Sequence, residues 1–235
     1  MADPAAQQVW TRMMETLAPG DGWARTRYLA FDFVVDRGED GRLVRSHRWD
    51  VWSGDYRVEA PVGEEGTLVA LFDVDEPTAG RAWLDGTPVE GARADSLLER
   101  AHAMFINDSY WLLMPYKWAD EGVHARYLGE MEEWGETWEV VELTFDSVGL
   151  TPRNRYRAFV DPETGRMELW QHFRDTDDEE PAFTTAWTGW QRYGPISLAS
   201  GRPDQEGVDR LTFENLEASE SVPDNAFAPP TSGDP

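Results

Sequence analysis

Residues 105–118 read Phe-Ile-Asn-Asp-Ser-Tyr-Trp-Leu-Leu-Met-Pro-Tyr-Lys-Trp, an apolar and aromatic run bracketed by polar, strand-like sequence. Upstream of it, Leu97, Leu98, Ala101, Met104, Phe105, Tyr110 and Trp111 recur at helical spacing, which leaves Arg93, Asp95, Glu99, Arg100 and Asp108 on the outside. The spacing predicts a helix over Ala92 to Met114. Pro115 cannot continue a helix interior and pushes its predecessor toward extended geometry, so the helix is expected to end by Leu113. Most of the remaining chain reads as strands and hairpins that need a cover on one face, and this helix is the candidate cover.

Composition bounds the function classes. With 235 residues the chain is long enough to bury a core in one domain, expected over 1–222, with 223–235 read as a largely disordered tail carrying an anchor at Phe227. It has no cysteine, which excludes disulfide frameworks, thiol nucleophiles and thiolate metal sites; such a chain folds equally well in reducing or oxidising surroundings. The 45 acidic residues against 21 basic ones give a formal charge of −24, and Lys117 is the sole lysine. Self-repulsion at that charge is relieved at high ionic strength, where the Debye length falls to about 3 Å at 1 M, so a salt-rich, halophilic setting is expected. The same charge argues against nucleic acid as a partner, since phosphate binding depends on clustered Lys and Arg. No apolar run reaches the length of a transmembrane helix, and the first ten residues lack the basic-then-apolar pattern of a signal peptide, as a mature end would.

Along the chain, Gln7 to Leu17 is a short amphipathic helix stopped at Ala18-Pro19-Gly20. Trp23 to Asp36 alternates as a strand with Trp23, Leu29, Phe31, Phe33 and Val35 on one parity, and Arg37 to Gly41 turns it into Leu43 to Trp52. Tyr56 to Ala60 and Thr67 to Val74 extend the meander, and Trp83 to Thr87 resembles a short hairpin. After the helix, Val123 to Gly129, Thr137 to Phe145, Arg155 to Val160, Met167 to Phe173, Phe183 to Tyr193, Ile196 to Ser200 and Val208 to Ala218 read as strands. Glu130 to Glu136 reads as an exposed turn and Val148 to Pro152 as a break. About ten to twelve strands with two helices predict a mainly β, α+β domain built on one strongly curved antiparallel sheet.

The twelve tryptophans are the most informative residue set. They can fill a core, or they can line a wide apolar cavity. Trp49 and Trp52 differ in parity, as do Trp187 and Trp190, which predicts rings on both faces of some strands. Methionines such as Met104 can refit around an acyl chain or simply pack. His47, His102, His124 and His172 stand apart, read as surface or half-buried residues without metal-ligand spacing, so neither a metal nor another cofactor is expected. No nucleophile elbow, P-loop or dinucleotide fingerprint appears. Carboxylate pairs such as Glu130 with Glu133, or Asp175 with Asp177 and Asp178, have the residue types for glycoside hydrolysis, although a chain this acidic produces such pairs by chance. Arg25, Arg27, Arg45, Arg48 and Arg57 are read as partners for the surplus acids in preference to a headgroup site.

The run Phe105 to Lys117, with Trp52-Ser-Gly-Asp-Tyr-Arg57, Gly149-Leu-Thr-Pro152, Tyr156, Val160-Asp-Pro162 and Trp187 to Trp190, resembles an uncharacterised bacterial family similar to the periplasmic lipoprotein carriers LolA and LolB. The resemblance spans most of Trp23 to Phe227. It implies a half-open antiparallel barrel, LolA-like, whose concave face is capped by helices and takes acyl chains without catalysis. The resulting expectation is an extracytoplasmic, periplasmic-type protein without catalytic residues that binds a hydrophobic small molecule or acyl chain. Its wall and lid residues are expected to be Trp49, Phe72, Trp83, Leu97, Met104, Phe105, Trp111, Trp138 and Trp170. Two other classes stay open: an interaction or structural module with a filled barrel, and a carbohydrate-binding or hydrolytic protein with exposed tryptophans beside a carboxylate pair.

Overall fold

A computed structural model describes residues 3–146 and 149–230. Helix α1 (Pro4–Leu17) starts where Asp3 accepts hydrogen bonds from the amides of Ala5 and Ala6, with Pro4 in the first turn, and it buries Ala6, Val9, Met13 and Leu17. The short helix α2 (Gly22–Arg25) follows. Trp23 therefore lies on a helix, outside the strand parity expected of it, and its ring stacks on Tyr116 at 4.9 Å.

Strands β1 (Tyr28–Asp36), β2 (Arg42–Asp50), β3 (Asp55–Pro61), β4 (Thr67–Asp73), β5 (Arg81–Leu84) and β6 (Thr87–Val89) form an antiparallel meander, and β14 (Leu211–Ser219) returns to pair with β1. The resulting seven-stranded sheet has the order β14-β1-β2-β3-β4-β5-β6. Its register aligns Leu29, Trp49, Tyr56 and Phe72 in one cross-strand row and Phe31, His47, Val58 and Ala70 in the next. Both rows face the core, because strand side chains alternate and these rows are apolar except at His47.

Strands β7 (Val123–Glu133), β8 (Glu136–Phe145), β9 (Arg155–Val160), β10 (Met167–Phe173) and β11 (Phe183–Ala186) make a second sheet in the order β11-β10-β9-β8-β7. Strands β12 (Gln191–Tyr193) and β13 (Ile196–Leu198) form a small hairpin. A twisted sheet of about a dozen strands tends to split or curl, and here the strands divide between two curved sheets that remain open among the described residues. Glu130 to Glu133 continues β7, leaving Trp134 and Gly135 as a tight two-residue turn; the alternation there outweighs the acidity that suggests a loop. The stretch Phe183 to Tyr193 is broken at 187–190, where Trp187 and Trp190 stack on each other at 6.0 Å in place of facing opposite ways.

Helix α3 (Gly91–Leu113) caps the sheets and ends in a 3-10 turn over Met114–Tyr116, at the proline expected to stop it. Its first half packs on β4 and β5, where Gly80 leaves the space: a β-carbon there would come within 2.8 Å of Leu98 and 2.6 Å of the Leu71 carbonyl. Farther along, Phe105 meets Trp49 and Tyr56 of the seven-stranded sheet, while Tyr110 and Trp111 meet Tyr156 and Trp170 of the five-stranded one. The helix thus seals the seam between the sheets. Past β14, Phe227 packs on Val69, Leu71 and Trp83, and Arg57 donates to the Ala228 carbonyl. Residues 231–235 of the expected tail, and Val148 of the expected break, lie outside the described residues.

Candidate functional site

A cleft of about 260 Å³ opens where the second half of α3 passes over the ends of β7, β8 and β9. Two stretches of sequence build it, 105–123 and 145–156. Helix α3 contributes Phe105, Ile106, Tyr110 and Trp111; the turn after Pro115 contributes Lys117, Asp120 and Glu121; Phe145 closes β8; Gly149 to Thr151 and Tyr156 form the far wall. Pro115 causes this, because by ending α3 it swings the chain across the sheet edge before β7 begins.

The floor is a chain of aromatic rings. Tyr110 lies 5.9 Å from Phe145 and 5.5 Å from Tyr156; Tyr156 stacks on Trp170 at 5.0 Å; Trp111 stands edge-on to Trp170 at 4.6 Å and stacks on Phe183 at 5.5 Å. Such offset and edge contacts fix the rings in place; Tyr110, Trp111, Phe145 and Tyr156 line the cleft, and Trp170 and Phe183 stand outside its lining. Burial pushes the hydroxyl pKa of both Tyr110 and Tyr156 up, well up for Tyr110, so the cleft presents neutral phenols at any ordinary pH. Leu150 stands at the mouth, 53% exposed.

The nine residues expected to form wall and lid fall into three places. Phe105 and Trp111 line the cleft. Trp49, Phe72, Leu97, Met104 and Trp170 are buried in the main core and do not line the cleft, although Trp49 meets Phe105 and Trp170 meets Trp111. Trp83 and Trp138 lie in separate clusters, Trp83 with Val69, Leu71 and Phe227, Trp138 with Val140, Phe159 and Leu169. Tyr110, Phe145 and Tyr156 are the aromatic cleft residues that the tryptophan-centred reading passes over. The signal for two of them, Tyr110 and Tyr156, is their place in the motif segments of the resemblance.

Beneath the lid lies a polar network. His47 on β2 is buried, against its expected place at or near the surface, because three groups satisfy it: Nε2 faces Asp108 Oδ2 at 3.0 Å, Nδ1 faces the Tyr56 hydroxyl at 2.8 Å, and Phe31 stacks on the ring at 4.6 Å. Arg45 forms an ion pair with the same Asp108 oxygen at 3.0 Å. Asp108, placed outside by the helical period, is therefore fully buried; its partners on β2 stabilise what polarity alone would expose. The other four arginines of that set also pair with carboxylates, Arg25 at the end of α2 with Glu220, Arg27 just before β1 with Asp50, and Arg48 and Arg57 with Glu59.

Elsewhere, Asp175 is bound by Arg153 at 2.6 Å, which holds its pKa down to about 2 and removes it as a general acid at neutral pH. A second groove, about 600 Å³, passes Trp10, Met14 and Trp23, and its residues all come from α1, α2 and the turn between them. Among the described residues no group of three or more His, Asp and Glu has metal-binding geometry, and no helix is long and apolar enough to cross a membrane.

Two open, curved antiparallel sheets capped by a long helix at their seam define a LolA-like fold. A LolA superfamily protein from Nitrosomonas europaea matches with a TM-score of 0.52 at 13% identity, over 95% of this chain and 97% of that one. A DUF1329 family protein from Desulfovibrio piger matches at 0.45 and 12%, covering 96% and 98% of the two chains. A domain described as outer membrane lipoprotein-sorting, from Vibrio parahaemolyticus, matches at 0.42 and 11%, covering 95% and 97%. At these identities the likeness is one of fold. No protein-family model and no curated protein matches the sequence.

Proposed function

We propose that this protein binds a hydrophobic ligand, a lipid or acylated molecule, without catalysis, and that it works outside the cytoplasm in the manner of lipoprotein carriers. The observation that carries the reading is the aromatic-floored cleft at the seam between the α3 lid and the five-stranded sheet. Apolar surface withdrawn from water there supplies the affinity, at roughly 25 cal/mol per Å² before the costs of association. Its volume of about 260 Å³ lies just under the ~300–1,000 Å³ of drug-sized sites, so the occupant is slim, a single chain or ring system. The phenols of Tyr110 and Tyr156 that line the cleft stay neutral, which suits an apolar occupant. The LolA-type fold adds to the case at the level of architecture.

A second reading is an interaction module. It draws on the half-buried patch of Leu128, Met131, Trp134 and Trp138 on the far face of the five-stranded sheet, and on the extent to which the concave side is filled by the protein's own rings. Native mass spectrometry of protein purified in high salt, followed by solvent extraction, separates the two. A co-purifying fatty acid, phospholipid or lipopeptide supports the carrier-like reading. A clean apo mass, with no stabilisation on adding acyl ligands, transfers the weight to the interaction module.

A further inference from the structure

We propose that the cleft selects an amphiphile with an anionic head, a carboxylate or a phosphate, seated on the ammonium of Lys117. The inference rests on the hydrophobic-ligand reading and adds the head to the tail.

Lys117 is the sole lysine in a chain with 21 basic residues, and it lines this cleft. Across the fold the ion-pair partner of a carboxylate is almost always arginine, whose flat fork suits fixed pairs; at the cleft mouth the cation is a compact, rotatable ammonium. The side chain is 23% exposed, so its stem lies along the wall and its head reaches the opening. Asp120 Oδ2 accepts from Nζ at 2.7 Å. One of the three ammonium donors is thereby used, and the partner orients the head at the mouth while two donors remain for a ligand. Asp120 is itself 46% exposed, and a pair that open binds too weakly to withhold the ammonium from a second acceptor.

The head sits at the mouth and the tail on the rings, and Tyr110 and Tyr156 add no formal negative charge behind it because their phenols stay protonated. Asp120 and Glu121 on the rim oppose an anionic head, yet their reach shrinks with the Debye length in the salt this composition favours, whereas a direct ammonium hydrogen bond persists. A cationic head drawn to those two carboxylates is the competing outcome.

Isothermal titration in high salt, below micelle formation, with decanoate, decyl phosphate, decyl maltoside and decyltrimethylammonium holds the tail constant and varies the head. The expected result is that one or both anionic ligands bind about tenfold tighter than the maltoside, and that Lys117→Met abolishes the difference. Which of decanoate and decyl phosphate binds tighter names the head. Four equal affinities overturn the head-group inference and leave the hydrophobic reading standing. A preference for decyltrimethylammonium overturns it in favour of the acidic rim. Binding of none overturns both. Should Lys117→Met fail to fold by circular dichroism, Lys117→Gln takes its place, and the wild-type ranking alone already upholds or overturns the preference.

Discussion

Asp108 on the lid helix faces His47 on β2 at 3.0 Å, with neither side chain open to solvent. Because the Tyr56 hydroxyl can donate to Nδ1, a neutral His47 with its proton on Nε2 satisfies Tyr56, itself and Asp108 in one line, and Arg45 supplies the compensating charge. The lid is therefore joined to the sheet by a polar tie inside an apolar core. Asp108→Ala leaves Arg45 and the Nε2 side of His47 unpaired, and the expected loss is about 3–5 kcal/mol, the usual penalty for breaking a buried pair from one side. Urea unfolding at constant slope measures it; a loss under about 1 kcal/mol would show that the tie is solvated or dispensable.

The same tie sets a pH dependence. Burial pulls the pKa of His47 below its usual 6.5, the attraction of Asp108 only partly opposing it, and burial among aromatic rings does the same to His172. Groups that bind a proton more readily unfolded than folded make stability fall as pH drops through the unfolded value. Stability is thus expected to be level above about pH 6.5 and to decline below it, ahead of the acid range in which the arginine-held carboxylates Glu142 and Asp175 add their own loss. Comparing His47→Gln with wild type between about pH 6.5 and pH 5 is the check: the variant is less stable at neutral pH but its stability varies less with pH. Parallel curves would remove His47 as the source.

What the sequence discloses and what it conceals differ by range. The end of α3 is legible because a proline's effect is local, and the meander is legible because alternation and turn residues lie within a few positions of each other. Asp108 is misplaced by the helical period because its partner is 61 residues away, and periodicity sorts by polarity alone. Trp23 is misplaced because its alternation with Leu29 continues by coincidence across the end of a four-residue helix. The cleft is hidden for the same reason as Asp108: its lining rings come from α3, β8 and β9, and the helix residues that form one wall lie more than 30 residues before the strand residues that form the other.

Arg202 is buried beneath the last turn of the lid, donating to the carbonyls of Trp111, Ala199 and Gly201 with its guanidinium 3.6 Å over the Trp187 ring. It satisfies a carbonyl that the end of α3 would otherwise leave open and places positive charge at the negative end of the helix. Arg202→Met keeps most of the volume and strands three acceptors, so a loss of at least about 2 kcal/mol is expected. Arg202→Lys should restore only part of it, since one ammonium cannot reproduce the fork. Thermal unfolding reads this as a drop of several degrees, at roughly 2–4 °C per kcal/mol for a chain of this size.

A formal charge of −24 predicts a stability that rises with salt. Between about 0.1 M and 1 M the Debye length shrinks from ~10 Å to ~3 Å, which relieves repulsion among exposed carboxylates while leaving buried pairs such as Arg155 with Glu142 nearly untouched. The melting temperature is expected to climb over that range in sodium chloride. A flat or falling response would mean that the surface pairs already balance the excess charge.

The three placements of the expected wall residues give the sharpest separation of packing from binding. Trp111→Ala and Phe105→Ala remove surface from the cleft itself and are expected to weaken uptake of an acyl probe about tenfold or more, with a stability loss that stays below global unfolding. Trp83 and Trp138 sit in satellite clusters on other faces, so Trp83→Ala and Trp138→Ala should lower stability and leave the affinity of the folded protein unchanged. Trp170 is the intermediate case. It is fully buried, yet it backs both Trp111 and Tyr156, and its truncation is expected to lower stability and affinity together because the floor loses its support. Affinity measured beside unfolding free energy for the five variants resolves the question. Loss of uptake in Trp83→Ala or Trp138→Ala at intact fold would move the ligand to the opposite face of the corresponding sheet.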